Sequence, residues 1–273
     1  MLSGTDFAYV RDLVRTRSGL VLEDEKAYLV TSRLQQLART AGLGTAADVV
    51  AGLRAGGNAK LGQQVVEAMT TNETSFFRDV HPFDTLRTVV LPDLVRRRAT
   101  ERKLTIWCGA ASTGQEPYTL AITLREYFPA LASWDVTFLA TDLSTEVLAR
   151  ARAGLFTQLE VNRGLPAALL LKHFTKVGSD WQVKDDLRRM IDFRVLNLLD
   201  GRPNLVGIDL VFLRNVLIYF DTPTKKDILG RIRRWLRPDG CLFLGGAETT
   251  WGLDEGYDRV TQGKTTYYRP KSG

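Results

Sequence analysis

From Lys103 onward, short apolar runs alternate with segments of helical period, and no other feature constrains the fold as tightly. Leu104–Trp107, Val136–Ala140, Ile191–Leu196, Leu210–Leu213 and Cys241–Leu244 read as buried strands. Between them, Gln115–Phe128, Ser144–Ala153 and Pro223–Leu236 read as helices. Parallel strands need crossovers of that length, so the pattern implies an α/β fold with helices on both faces of a parallel sheet. Near the end, Tyr257–Val260 and Thr265–Arg269 flank Gln262-Gly263-Lys264, which predicts a closing antiparallel hairpin. One excursion interrupts the alternation. Residues 155–192 hold a short helix (Pro166–His173), strand-like Phe174–Val177 and Trp181–Lys184, and a helical or turn-like Asp186–Met190. They predict a small inserted subdomain.

The first 70 residues differ. Phe7, Val10, Leu13 and Val14 recur at helical spacing, as do Val30, Leu34, Leu37 and Ala41, followed by Val49, Val50 and Leu53. Gly19, Gly42–Gly44 and Gly56–Gly57 punctuate them as caps and turns. An all-α N-terminal domain over 1–70 is expected, with a linker over 71–81 and the α/β domain over 82–273. Two domains suit 273 residues at roughly 150 residues each. The linker has no Gly or Pro, so its composition is not that of a flexible tether. A helix from Pro82 to Arg98 should follow, ending in Arg96, Arg97 and Arg98 as a solvated basic turn.

Composition excludes several chemistries. Two Cys (Cys108, Cys241) and two His (His81, His173) cannot assemble a metal cluster or a disulfide framework. Cys108 reads as a small buried residue, His81 as structural at a helix start, and His173 as suited to a helix C-terminus. Arg231, Arg233, Arg234 and Arg237 read as the solvated surface of one late helix. The longest apolar stretch, Leu210–Phe220, is broken by Arg214 and Asn215, so no membrane span is expected. The start lacks the pattern of a signal peptide, and a cytoplasmic protein is expected. A net charge of +6 permits a nucleic acid and equally an acidic protein partner.

In open parallel sheets ligands bind beyond the carboxyl ends of the strands. The first strand runs into Cys108-Gly-Ala-Ala-Ser-Thr-Gly114, whose small residues let a ligand approach the backbone of the helix start that follows. Glu116 on that first turn either serves the ligand or complements the helix dipole. Asp142 ends the second strand, as a ribose-binding carboxylate or as part of a cap with Ser144. Asn197 ends the next strand, as an adenine-edge partner or a turn residue. Arg214 and Asn215 interrupt an apolar strand end, where polar groups need partners. These ends together suggest a nucleoside-containing cofactor. The terminal hairpin after seven strands looks like the sheet of S-adenosylmethionine methyltransferases.

Four motifs carry a closer resemblance. Thr71-Asn-Glu-Thr-Ser-Phe-Phe-Arg78, Ala111-Ser-Thr-Gly-Gln-Glu-Pro-Tyr118, Ala140-Thr-Asp-Leu-Ser144 and Arg214-Asn-Val-Leu-Ile-Tyr-Phe220 resemble, in order and spacing, those of the CheR family of chemotaxis-receptor methyltransferases. The resemblance runs from about residue 5 to residue 269. It implies a seven-stranded Rossmann-like methyltransferase sheet with an inserted β-subdomain behind an all-α domain. It further implies methyl transfer from S-adenosylmethionine to glutamates on the cytoplasmic helices of methyl-accepting chemotaxis proteins, with S-adenosylhomocysteine as product. By motif match, Asn72, Thr74, Arg78, Glu116, Asp142, Asn197, Leu198, Arg214 and Asn215 should contact the cofactor. Asp142 takes the ribose, Asn197 the adenine side and Glu116 the methionine amino group. Arg78 and Tyr219 are the expected catalytic residues.

A glutamate acceptor has a reference pKa near 4.3, arrives ionised and needs no general base, so scarce histidine is no obstacle. The reaction joins an anion to a sulfonium cation, and alignment is what remains to be supplied. The family's acidic receptor helices imply a basic docking helix, here Glu25–Ala41 with Lys26, Arg33 and Arg39. With 8 basic and 7 acidic residues over 1–70, that domain is nearly neutral. In some members the β-subdomain adds a receptor pentapeptide as an extra strand. The short, glycine-poor Thr175–Trp181 link predicts weak or absent pentapeptide binding here. Two rivals stand: a nucleic-acid methyltransferase, disfavoured because no aromatic-and-basic stacking surface is visible, and a cofactor-sensing module without transfer, disfavoured by the intact Arg78 and Tyr219 positions.

Overall fold

A computed structural model of the chain describes residues 2–56, 59–199 and 201–271; Gly57 and Asp200 lie outside the described residues. Two compact units emerge. The first comprises Met1–Thr71 with two later segments, Asn197–Asp200 and Tyr219–Thr224; the second comprises Asn72–Leu196, Gly201–Ile218 and Lys225–Gly273.

The first unit has four principal helices: α1 (Gly4–Ser18), α2 (Ala27–Thr40), α3 (Ala46–Arg54) and α4 (Ala59–Ala68). Ser3 caps α1 by accepting from Asp6 N, and Thr45 with Asp48 forms a reciprocal capping box on α3. Val10, Val14, Val30, Leu34, Val49 and Val50 bury the faces their spacing marked, and Val65 and Val66 of α4 join them in burial. Each such side chain is worth about 1.5–3 kcal/mol of burial. The short turn Asp24–Lys26 is a 3₁₀ helix rather than the start of α2, which begins at Ala27.

In the second unit the sheet contains β1 (Lys103–Gly109), β2 (Asp135–Asp142), β6 (Asp192–Val195), β7 (Ile208–Leu213), β8 (Leu236–Leu244), β9 (Tyr257–Gln262) and β10 (Thr265–Pro270). Their order is β6-β2-β1-β7-β8-β10-β9, parallel except where β10 pairs antiparallel with β8 and β9. The helices are α5 (His81–Thr85), α6 (Leu91–Arg97), α7 (Gln115–Tyr127), α8 (Thr145–Ala153), α9 (Gln158–Asn162), α10 (Ala167–His173), α11 (Asp185–Arg188) and α12 (Thr222–Trp235). The excursion folds into a three-stranded antiparallel sheet, β3 (Leu155–Phe156), β5 (Asp180–Val183) and β4 (Phe174–Val177) in that order. Neither β3 nor α9 was legible; two and five residues are too few to show a period.

Every residue of the central strand β7 is buried. Phe83, Phe212, Phe243 and Tyr267 stack across that part of the core at centroid spacings of 5.7, 4.6 and 5.5 Å. The expected Pro82–Arg98 helix is split by a π-helical turn, Leu86–Val90. Pro92 has no N–H to give the carbonyl four residues earlier, and Leu91 N donates instead to Leu86 O, five residues back.

Three expectations are corrected. Arg98 is buried, not solvated: its Nε donates to Asp209 Oδ1 (2.7 Å), and its Nη1 and Nη2 donate to Asp239 (3.0 and 2.6 Å). His173 is also buried, with Nε2 2.6 Å from Glu126 Oε1, so a carboxylate rather than the helix dipole alone serves it. The late arginines are mostly engaged. Arg233 pairs with Asp254, Arg231 with Asp227, and Arg237 lies in β8 and pairs with Glu101.

Candidate cofactor site

The strand ends of the second unit converge through hydrogen bonds that only folding could reveal. After β1 the chain turns sharply: Ala110 (φ 54°), Ser112 (φ 50°) and Gly114 (φ 100°) all have positive φ. A Cβ on Gly114 would meet Ala151 Cβ at 3.1 Å and Tyr118 at 3.2 Å, so glycine is required both for conformation and for closeness. Asp142 holds this loop. Its Oδ2 accepts from Ser112 N (2.8 Å) and its Oδ1 from Ser144 N (2.9 Å). The cap of α8 is made by Ser144, whose Oγ accepts from Val147 N. Asp142 therefore bridges the loop and the start of α8, while Ser144 supplies the side-chain cap.

Glu116 does not cap α7. Its Oε2 accepts from Arg214 Nη1 at 2.5 Å, and Cys108 Sγ lies 3.5 Å from its Oε1. Arg214 Nη2 reaches Asp79 Oδ2 (2.7 Å) and Arg78 O (3.1 Å). The Arg214 side chain is 1% exposed, and its guanidinium lies over the Phe83 ring at 5.5 Å. A buried guanidinium is tolerable only when its charge is met, and two carboxylates meet it. Burial and the Glu116 carboxylate push the Cys108 thiol well above its usual range.

The segment expected as a linker is a strained, packed motif. Phe76 is fully buried, edge-on to Phe156 and Phe174 at 5.0 and 5.7 Å. Phe77 N donates to Thr119 Oγ1 (3.1 Å), and Asn72 O accepts from Ser112 Oγ (2.7 Å). Phe77, Asp79 and Val80 have φ of 47°, 67° and 50°. Val80 (ψ −57°) centres a γ-turn closed by His81 N donating to Asp79 O at 2.5 Å, a strained conformation for a β-branched residue. Gly164 supports it, since a Cβ there would sit 2.0 Å from Phe76 O. Arg78 Nη1 donates to Glu73 O (3.1 Å), and Glu73 pairs with Arg163. Thr74 is half-buried in the same segment.

Asn72, Thr74, Arg78, Glu116, Asp142, Arg214 and Asn215 thus all lie in the second unit. Asn197, Leu198 and Tyr219 lie in the first. There Asn197 Oδ1 accepts from Leu199 N (3.0 Å), closing a turn, and its Nδ2 donates to Arg17 O (2.7 Å). Tyr219 O accepts from Val21 N (2.9 Å). Of the docking residues, Lys26 pairs with Glu23 (2.8 Å) and Arg39 is exposed. Arg33 is turned inward, donating to Thr70 O (3.0 Å) and Thr71 Oγ1 (3.3 Å). Burial lowers its pKa against the opposing influence of Tyr219. Tyr28, 72% exposed at the start of α2, had no signal beyond its residue type. Asp79 and Glu248 were also missed.

A family model described as CheR methyltransferase, all-alpha domain, matches residues 5–70, and one described as CheR methyltransferase, SAM binding domain, matches residues 72–266. The chain belongs to the CheR methyltransferase family. It is 40% identical to chemotaxis protein methyltransferase 1 of Pseudomonas aeruginosa, over 98% of this chain and 99% of that one. It is 38% identical to chemotaxis protein methyltransferase Cher2 of Pseudomonas putida (97% and 98% covered). It is 36% identical to the chemotaxis protein methyltransferase of Salmonella typhimurium (97% and 90% covered). The chain is an S-adenosylmethionine-dependent methyltransferase of the chemotaxis type.

The residues of this CheR chain fit that cofactor. Its methionine end carries an ammonium and a carboxylate, and Glu116 with Arg214 offers the opposite charge to each. Arg214 Nε is buried without a hydrogen-bond partner, one donor more than the protein uses. A carboxylate can accept about four hydrogen bonds. Asp142 ends β2 with its carboxylate on the cofactor loop, and a carboxylate is a suitable acceptor for ribose hydroxyls.

Proposed function

We propose that this chain methylates glutamate side-chain carboxylates on the cytoplasmic helices of methyl-accepting chemotaxis receptors, forming glutamate methyl esters. One observation carries the choice of acceptor: the titratable groups at the strand ends are engaged. Glu116 and Asp79 pair with Arg214, Asp142 holds the loop backbone, and burial disfavours the Cys108 thiolate. Such a site suits a nucleophile that arrives already ionised, as a glutamate does at neutral pH. The cofactor, when bound, supplies a methyl group activated by a sulfonium. The protein's part is to bind, orient and exclude water.

Within this proposal Asn72, Thr74, Arg78, Glu116, Asp142, Asn197, Leu198, Arg214 and Asn215 hold the cofactor, and Arg78 and Tyr219 are the catalytic pair. The helical domain, 1–70, docks on the receptor through Lys26 and Arg39, while Arg33, expected to join them, is held inward by Thr70 and Thr71; residues 71–81 add cofactor contacts to the domain over 82–273. The 155–192 subdomain binds no receptor pentapeptide appreciably. The protein works in the cytoplasm; among the described residues no helix is long and apolar enough to cross a membrane. The family match favours neither a nucleic-acid substrate nor a non-catalytic module. Transfer of a labelled methyl group to a receptor cytoplasmic fragment, released by base, is the expected result. Label that survives base, or no transfer at all, refutes the assignment.

A further inference from the structure

The turn Gly245-Gly246-Ala247-Glu248 leaves β8 at the carboxyl edge of the sheet, and its glutamate bends back onto the backbone. Glu248 Oε2 accepts from Gly245 N (2.6 Å) and Asn215 N (2.8 Å). Oε1 accepts from Val216 N (2.9 Å) and Leu217 N (2.7 Å). One carboxylate therefore collects four N–H groups from two segments. Three of them are consecutive, the arrangement in which successive amides form an anion-binding concavity. Here the anion belongs to the protein itself. Asn215 sits at φ 59°, in the left-handed region that Asn tolerates better than other side chains do. The fit is tight on the other side as well, because a Cβ on Gly245 would lie 2.8 Å from both Asn215 N and Glu248 Oε2.

Immediately before the Asn215–Leu217 segment that Glu248 holds stands Arg214, whose guanidinium joins Glu116 to Asp79. Arg214 follows the last residue of β7, Leu213, and is joined directly to the held segment through Asn215. We propose that Glu248 is a positioning residue for methyl transfer. It acts as a built-in anion that locks the Arg214–Leu217 turn in the form that presents Arg214 and Asn215 to the cofactor. This rests on the cofactor-site reading above.

Formate is the probe, because it can restore the missing carboxylate and nothing else. In Glu248→Ala, S-adenosylhomocysteine affinity by calorimetry should fall about tenfold to a hundredfold, the scale of loss when a site is misplaced by about 1 Å. Excess formate should recover much of that loss in the variant, leave the wild type unchanged, and do more than chloride at equal ionic strength. Glu248→Gln keeps the shape and can accept only on its carbonyl oxygen. It should bind more weakly than wild type even where Glu248→Ala proves too unstable to assay. Two results overturn the proposal: affinity within about twofold of wild type in the folded variants, or a loss that formate does not touch in folded Glu248→Ala. A wild-type protein that binds no S-adenosylhomocysteine would instead defeat the cofactor-site reading, whatever Glu248 does.

Discussion

Replacing Arg214 by Met should be among the most damaging single changes in the methyltransferase unit, and its two arms should count very unequally. The Glu116 arm is short (2.5 Å) and shielded, with the carboxylate side chain 12% exposed. The Asp79 arm is 2.7 Å long, but that carboxylate is 52% exposed. An exposed partner is screened by water and contributes about 1 kcal/mol or less. Removing the cation from a buried pair leaves an uncompensated charge and costs about 3–5 kcal/mol. Arg214→Met is therefore expected to cost about 3–5 kcal/mol, Asp79→Asn about 1 kcal/mol, and Arg214→Lys a value between them. Lysine offers a point charge where the planar fork served two carboxylates and a carbonyl at once.

Urea unfolding monitored by tryptophan fluorescence measures the stability part, with Trp107 fully buried in β1 as a native reporter. Calorimetry with S-adenosylhomocysteine measures the rest. Every 1.4 kcal/mol that belongs to the bound state appears as tenfold in affinity. The order of the three variants is the decisive reading. If Asp79→Asn cost as much as Arg214→Met, or Arg214→Met cost under about 1 kcal/mol, the burial argument would be wrong.

Arg98→Met should destabilise by about 3 kcal/mol, because it strands the fully buried Asp209, which retains only Thr105 N and a distant Arg237; S-adenosylhomocysteine affinity should stay unchanged, and a parallel loss of binding would refute the separation of the two ends of the sheet. Acid titration of stability should show the same pair: hydrogen bonding to Arg98 holds Asp239 below its usual pKa, and Lys172, with His173, does the same for Glu126. Depressed folded-state values mean this stability is present above the unfolded pKa values of about 3.9–4.3 and is lost as pH falls through the folded ones. Urea midpoints should drop below about pH 4, and Asp239→Asn should flatten that drop. Both thiols are buried with raised pKa values, so a disulfide exchange reagent should react with neither Cys108 nor Cys241 until the protein unfolds.

The elements were legible where a helical period or an unbroken apolar run was long enough, as in α2 and α7 or in β1 and β7. Arg214 could be singled out because a charge broke an apolar strand end, whereas Asp142 stayed open, on position alone, between a ribose carboxylate and part of a cap. What stayed hidden were partnerships across long stretches of sequence. Arg98 looks like any basic helix end until Asp209 and Asp239 arrive, 111 and 141 residues later. Asn197 follows a strand of the α/β region and Tyr219 sits within one of its motifs, yet their segments group with the helical unit. Glu248 carries no signature at all, because its partners are backbone amides and any residue supplies those.

The backbone shows why these polar side chains are where they are. Among the described residues eight non-glycine positions have positive φ, and six of them, Phe77, Asp79, Val80, Ala110, Ser112 and Asn215, fall in the three segments that meet around Arg214 and Asp142. Such conformations cost of order 1–3 kcal/mol each and persist only where the surroundings over-determine them. Each segment has its own restraint: Thr119 and Arg214 on the first, Asp142 on the second, Glu248 on the third. The strained loops place backbone and charge at the strand ends before any ligand binds. An alkylation whose acceptor is already ionised gains from that preorganisation directly, since alignment is what its barrier still requires. Under the proposed function, the carboxylates that hold the loops serve methyl transfer by keeping those loops in place. Loosening one of them should cost binding and turnover before it costs the fold.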